Sequence, residues 1–365
     1  AHGWTSLVAS AGGRMLDRLT SGGSRHIKLP LDSKNPLTIW RNAGRLARLI
    51  RQEEIALIHA RSRAPAWSAL IAARRTGIPF VTTYHGSYNQ KSRLKAWYNS
   101  VMARGDVVIA NSGWTRDLIV ARNPWAKDQV QVVHRGTDLE EFSPKSVSED
   151  RCQALRDSWG IQTSDTVIVK LARMTSWKGH AVLINAVAQV VGDFPDLKVV
   201  LAGDAQGRND YIAGLQSAIS KLNLHNNVLM PGHCDDPAAA VAVSDLVVVA
   251  STQAEAFGRA AVEAGALERP VIVSNIGAVE ETVLAASDVG ETDFTGWKVP
   301  PGDADGMAQA LLDALKLSAK ARREIGQRAR NHAQANFSLQ QMCDKTLAIY
   351  EDLLASSGVI RSPKV

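Results

Sequence analysis

Cysteine is scarce: Cys152, Cys234 and Cys343 are the three in 365 residues. They stand far apart and make no C-x-x-C pair, which argues against a zinc knuckle or a disulfide framework and fits a reducing compartment. No apolar run approaches the roughly 20 residues that span a bilayer, and no charged-then-apolar signal segment opens the sequence. The expected setting is therefore the cytosol, with any membrane met from the side. No G-x-G-x-x-G follows a strand pattern, which disfavours a nicotinamide-dependent enzyme, and no G-x-x-x-x-G-K-[ST] is present. The nine histidines show no H-E-x-x-H or comparable spacing, so neither a metal site nor a bound cofactor is expected. Low-complexity tracts are absent too, and disorder is expected only in the tail "SSGVIRSPKV".

What is present is a chain too long for one hydrophobic core, which implies two domains. Its net charge of +6 is uneven: residues 1–150 hold 22 Lys and Arg against 12 Asp and Glu, and the remainder holds 20 against 24. A basic half attracts anionic lipid, phosphorylated substrate or nucleic acid over about a Debye length; no nucleic-acid motif accompanies the charge, so nucleic acid is not an expected partner. Short β-branched runs recur between helical patterns, first "WTSLVAS", "RHIKLPL", "IALIHA", "PFVTTYHG", "DVVIANS" and "VQVVHRG". After a polar stretch follow "TVIVKLA", "LKVVLAGD", "NVLMPGH", "DLVVVAS", "RPVIVS" and "GWKVPP". Two blocks of alternating strand and helix predict two doubly wound α/β domains, over 1–150 and 151–338, with ligands outside the carboxyl ends of the strands. A final amphipathic pattern over 339–356, with Met342, Leu347, Tyr350 and Leu354 at helical spacing, predicts a helix docked on another element.

Two strand-turn-helix segments carry the clearest chemistry. In "VIVKLARMTSWKGHAV", Arg173 follows the strand and Lys178 stands at the expected helix start, where a cation opposes the macrodipole unless an anion such as phosphate intervenes. An exposed lysine tolerated at small cost is the other reading. In "DLVVVASTQAEAFGRAAVEAGALERP", a helix starts near Phe257 or Gly258, and Glu255 and Glu263 stand eight residues apart. A phosphate at that helix start would repel Glu255 unless its carboxylate points to uncharged hydroxyls, as on a sugar. Glu263 has Arg259 four residues earlier as a ready ion-pair partner.

In the first half, His85 ends a predicted strand in "TTYHGSY", where a histidine is either catalytic or structural. "IHARSRAPAW" brings His59, Arg61 and Arg63 to a neighbouring strand end, either for an anionic acceptor or for solvent. Arg41, Arg45 and Arg48 share a helix face near Trp40, Leu46, Leu49 and Ile50, and Lys91, Arg93, Lys95 and Arg104 accompany Trp97, Tyr98 and Met102. Such mixtures suit an anionic membrane surface; the alternative is a core stripe with solvating arginines.

Taken together, "LARMTSWKGHAVLINAVAQV", "LAGD", "VLMPGH", "SDLVVVASTQAEAFGRAAVEAGALERPVIVSNIGAVEETV" and "GWKVPPGDADGMAQAL" resemble the retaining glycosyltransferases of family four. "TTYHG", "DVVIANS" and "HRGTDLEEFSP" extend the resemblance to the first half. It implies a GT-B fold: two Rossmann-like parallel-sheet domains facing across a cleft, with the C-terminal helix crossing back to the first. It further implies an acceptor bound mainly by the first domain and a nucleotide sugar, UDP- or GDP-linked, bound mainly by the second. Arg173 and Lys178 would hold the donor diphosphate, a task other transferases give to a metal. Gly203 of "LAGD" would line the donor site, Glu255 would contact the transferred sugar with Ala256, Phe257 and Gly258 beside it, and Glu263 would hold the ribose. His85 would sit near the reacting sugar. The implied acceptor is a lipid-linked or polysaccharide component of the cell envelope, such as a lipopolysaccharide core. A nucleotide-sugar 2-epimerase or an inactive sugar-nucleotide-binding chain are the rival readings. In the family a strand, a Gly-rich loop and a helix usually precede a segment like "AHGWTSLVAS", so the first sheet is expected to lack a central strand. Gly277 and Ala278 stand where a glycine pair is common, with Glu281 in the usual acidic place.

Overall fold

The computed structural model describes residues 3–13 and 15–356; the tail expected to be disordered lies outside them from residue 357 onward. Twelve strands form among the described residues, one in each of the segments expected to be extended. They are β1 (Leu7–Ser10), β2 (Arg25–Lys28), β3 (Ile58–Ala60), β4 (Phe80–Tyr84), β5 (Val107–Ala110), β6 (Val130–Val132), β7 (Thr166–Leu171), β8 (Leu197–Ala202), β9 (Val228–Gly232), β10 (Leu246–Val249), β11 (Val271–Ser274) and β12 (Gly296–Val299). Every pairing is parallel. Parallel strands covered by helices on both faces are apolar at almost every position, as β5 and β10 are throughout and β11 is apart from Ser274; every residue of these three and of β4 is buried.

The described chain divides into two compact units, one comprising residues 1–111, 115–133 and 345 onward, the other 112–114 and 134–344. The segment 134–150, read from sequence as the end of the first domain, packs with the second unit, where Leu139, Phe142 and Val147 join its core.

In the first unit β3, β4, β5 and β6 make one sheet in chain order, whereas β1 and β2 form a separate two-stranded ladder. No strand among the described residues pairs with the free edges of β1 and β3. The two ladders are joined through side chains: Ala9, Leu29 and Ile58 pack around Leu31, Leu46, Ile50 and Ala72. Leu46 and Ile50 come from the helix Pro36–Gln52, which Asn35 caps by accepting from the N–H groups of Leu37 and Thr38, with Pro36 at its first position. A polar cap followed by proline starts a helix at little cost. The helix Leu339–Ser356 ends in the first unit. There the Tyr350 hydroxyl lies 2.5 Å from His59 Nδ1, and His59 Nε2 lies 2.7 Å from the Thr83 hydroxyl.

The second unit holds a six-stranded sheet in the order β12-β11-β10-β7-β8-β9. Chain order therefore reverses between β7 and β10. The helix His180–Val190, which follows β7, packs in one core cluster with Leu246 and Val248 of β10. The helix Arg259–Ala266, which follows β10, packs in another with Val247 and Val249. Alternate residues of a strand face opposite sides, so the two helices cover opposite faces and their connecting loops part above the neighbouring ends of β7 and β10. A doubly wound sheet binds ligands in the crevice at such a reversal.

Candidate functional site

Both loops at that reversal carry the residues singled out from sequence. After β7, Arg173 is exposed and Lys178 closes a single 3₁₀ turn, Ser176–Lys178, ahead of the regular helix. Lys178 thus stands two residues ahead of that helix rather than at its first residue, because Gly179, in the left-handed conformation, separates the two. The anion that Lys178 needs is supplied by the protein: its Nζ lies 2.8 Å from Glu255 Oε1. It also sits 4.4 Å from the centre of the Trp177 ring, a contact favourable to a cation. Ser251, the buried residue two past β10, donates its hydroxyl to the same Glu255 oxygen. Burial works to raise the Glu255 carboxyl, but Lys178 and these hydrogen bonds outweigh it and hold the group below its ordinary value.

Glu255 continues into Ala256, Phe257 and Gly258, and the backbone is fastened on both sides. The Ala256 carbonyl accepts from the Ser112 hydroxyl at 2.7 Å, and the Glu255 carbonyl accepts from the Ala278 N–H at 3.0 Å. Gly277 makes the second contact feasible: its φ is +81°, and a Cβ there would lie 2.4 Å from the Glu255 carbonyl oxygen. Phe257 is buried against Phe337, and Gly258, at φ +79°, turns the chain into the helix Arg259–Ala266, which no side chain caps. The Ala261 N–H closes the first turn on the Gly258 carbonyl at 3.0 Å, and a helix start without a side-chain cap suits an anion. Glu263, the second glutamate, is buried and paired with Arg259, whose Nε donates at 2.8 Å and whose Nη2 donates at 2.5 Å to Oε1. Burial raises its carboxyl and Arg259 partly offsets this. Gly203 stands just past β8 with its N–H on the Gly232 carbonyl at 2.7 Å. An open recess of about 630 Å³ lies beside the 3₁₀ turn, walled by Thr175, Ser176, Trp177, Arg208, Asp210 and Tyr211.

The first-unit candidates are less tightly gathered. His85 receives a hydrogen bond from Arg61 Nε at its Nε2, 3.4 Å away. Arg63 is not spare for an anion: it donates to Asn99 Oδ1 at 2.8 Å and stacks over Tyr88. His59 is a packing group, pushed from 6.5 down to about 3 by burial and then by the charges of Arg61 and His85. Arg41, Arg45 and Arg48 line an exposed face of their helix, with Trp40 exposed beside them, while Leu46 and Ile50 turn inward. Lys91, Arg93 and Lys95 are likewise exposed, next to outward-facing Leu94 and Trp97.

Comparison with known proteins places the chain in a family. The profile described as Glycosyl transferases group 1 matches residues 153–332, and that of Glycosyltransferase Family 4 matches residues 2–141. A crystal structure of a glycosyltransferase from Rickettsia africae ESF-5 is 31% identical, covers 96% of this chain and 91% of its own, and superposes with a TM-score of 0.86. The chain belongs to the family-four, group 1 glycosyltransferases. The transferase has the GT-B fold and uses a nucleotide sugar. It is also 28% identical to the D-inositol 3-phosphate glycosyltransferase of Saccharomonospora viridis, over 82% of this chain and 70% of that one. Anabaena Alr3699/HepE, solved in complex with UDP-glucose, is 25% identical with a TM-score of 0.78, over 94% of this chain and 91% of that one.

Two contacts of the site and one residue beneath it escaped sequence reasoning. The Ser251 hydroxyl meets Glu255 within one loop, and the turn at Gly277 brings the Ala278 N–H from another loop onto the Glu255 carbonyl; spacing does not reveal either contact. Lys170 in β7 left a visible signal: a lysine inside a strand run that is otherwise apolar.

Proposed function

We propose that the transferase moves a hexosyl group from a UDP- or GDP-linked sugar to a lipid-linked or polysaccharide acceptor of the cell envelope, such as a lipopolysaccharide core, with retention of configuration. The observation that carries this reading is the convergence of Lys178 and Ser251 on Glu255 beside an uncapped helix start. Lys178 and Arg173 take the diphosphate and stabilise its charge as the glycosidic bond breaks, where a preorganised cation is worth most. Glu255 accepts hydroxyls of the transferred sugar, Phe257 and Gly258 offer backbone N–H groups, and Glu263 takes the ribose. With Lys178 beside the leaving group and no carboxylate nucleophile assigned, the retaining step is a front-face, oxocarbenium-like displacement. His85 acts near the reacting sugar. Complexes of HepE with UDP and UDP-glucose support the donor class.

The acceptor side rests on the first unit. Trp40 is 58% exposed and Leu37 54% exposed on the helix that carries Arg41, Arg45 and Arg48. Leu94 is 76% and Trp97 55% exposed beside Lys91, Arg93 and Lys95. Exposed aromatic and basic side chains together suit an anionic bilayer surface, approached from the cytoplasmic side.

A panel of UDP- and GDP-sugars, assayed for binding, transfer, hydrolysis and epimerisation, tests the reaction. Release of the nucleotide diphosphate that depends on acceptor and on Glu255 is expected, and epimerised donor overturns the reading. For the membrane side, replacing Arg41, Arg45 and Arg48 together by glutamine should weaken sedimentation with phosphatidylglycerol vesicles roughly 100-fold, at about 1 kcal/mol per residue. Unchanged sedimentation overturns the membrane role.

A further inference from the structure

β7 is covered on both faces, yet its fifth residue is a lysine. Lys170 is 1% exposed and forms no ion pair among the described residues. The charges that act on it are Lys178, from the 3₁₀ turn, and Glu255, from the loop after β10. His180, at the start of the helix after β7, feels the Lys170 charge in turn. Tyr211, from the helix Asn209–Lys221, reaches His180 Nδ1 at 3.2 Å. The neighbouring strands add no charge: β8 sets Leu201 beside Lys170, and β10 continues its register with β7 into Val248 and Val249.

Lys178 faces two demands. Its ammonium is held by Glu255 at 2.8 Å, yet the donor reading requires it to meet a diphosphate. Turning to the phosphate strips a largely buried carboxylate of its nearest cation, and an uncompensated buried charge is costly. Lys170 stands one residue from the carboxyl end of β7, beside β10, whose following loop carries Glu255; a second cation buried there lowers that cost, since Coulomb interactions are strong where water is excluded.

We propose that Lys170 is a positioning residue of the donor site, whose buried ammonium keeps Glu255 charged and in place while Lys178 exchanges that carboxylate for the diphosphate of the donor. The proposal rests on the assignment of Lys178 to the diphosphate. Burial, and after it the nearby Lys178, lowers Lys170 from 10.5 to about 7. Its charge is therefore present below that value and lost above it. Once Lys170 is neutral, Glu255 retains Lys178, and the donor binds more weakly.

The test is calorimetric titration of the full chain with UDP-glucose, whose diphosphate does not titrate near neutrality, at pH values on either side of the Lys170 midpoint. Wild-type affinity should fall about tenfold from the acid to the alkaline side, the size of one pKa unit of coupling. Lys170→Met should bind weakly at every pH and, with a buried charge removed, should melt at a higher temperature. In a Glu255→Gln background, Lys170→Met should cost no further affinity, because the charge it supports is gone. Equal affinities and parallel pH profiles for wild type and Lys170→Met overturn the proposal while leaving the donor reading intact. A folded wild-type chain that binds neither UDP-glucose nor GDP-mannose overturns both.

Discussion

In the second unit, chain order reverses between β7 and β10 and the donor-site groups gather there; in the first, β3 to β6 lie side by side in chain order and the strand ends are filled by packing. The difference has a geometric cause. Helices after β7 and β10 cover opposite faces, so their loops part. In the first unit Ala66 and Ala69 of the helix Arg63–Thr76 and Ile119 of the helix Gly113–Arg122 join one core cluster with Phe80 and Tyr84. Successive helices on one face leave no such opening, and His59 instead bridges Thr83 to Tyr350 at a strand end. The same architecture thus yields charges held in a crevice in one unit and a neutral histidine held in packing in the other.

The sharpest way to break this contrast is Lys178→Ala. Loss of a charge-assisted contact worth about 2 to 2.7 kcal/mol should weaken UDP-glucose binding roughly 30- to 100-fold, measured by calorimetry. Unchanged binding would mean that the cations at the reversal do not serve the donor.

Gly277→Ala probes the backbone beneath the site without touching a charge. Its φ of +81° and the 2.4 Å approach to the Glu255 carbonyl should cost about 1 to 3 kcal/mol, seen as a lower melting temperature together with a lower kcat/KM. A melting loss with full activity would show that Glu255 tolerates displacement.

Tyr350→Phe addresses the first unit. It removes one hydrogen bond of His59, costing about 1 kcal/mol of stability, and should leave UDP-glucose affinity unaltered; a large loss of donor affinity would erase the distinction drawn above.

The buried histidines also set a pH dependence. Burial holds His59 and His180 neutral down to about 3, whereas the unfolded chain protonates them near the ordinary 6.5. Stability is therefore complete above about pH 6.5 and lost as pH falls toward 3, by up to about 1.4 kcal/mol per pH unit for each group. His59→Gln should flatten the fall in urea midpoint between about pH 7 and about pH 5. An unchanged slope would show that His59 is protonated in the folded chain.

Much of the fold was legible because buried parallel strands announce themselves as β-branched apolar runs, and all twelve segments read that way contain a strand. At the site, the spacing of Glu255 and Glu263 and the cations Arg173 and Lys178 stood out, since charges beside apolar strands call for partners. The partners were not legible. Lys178 finds Glu255 across 77 positions, and the buried state of Lys170 depends on which helices close over β7.

By itself, the sequence determined the strands, the loops that follow them and the chemical groups those loops carry, because each depends on residues a few positions apart. Tertiary structure alone decided that β10 lies against β7 and that β1 and β2 stand apart as their own ladder. It also decided that Lys178 and Ser251 meet on one carboxylate. Strand order and burial arise from contacts between distant segments, and those contacts make a local cation into part of a site.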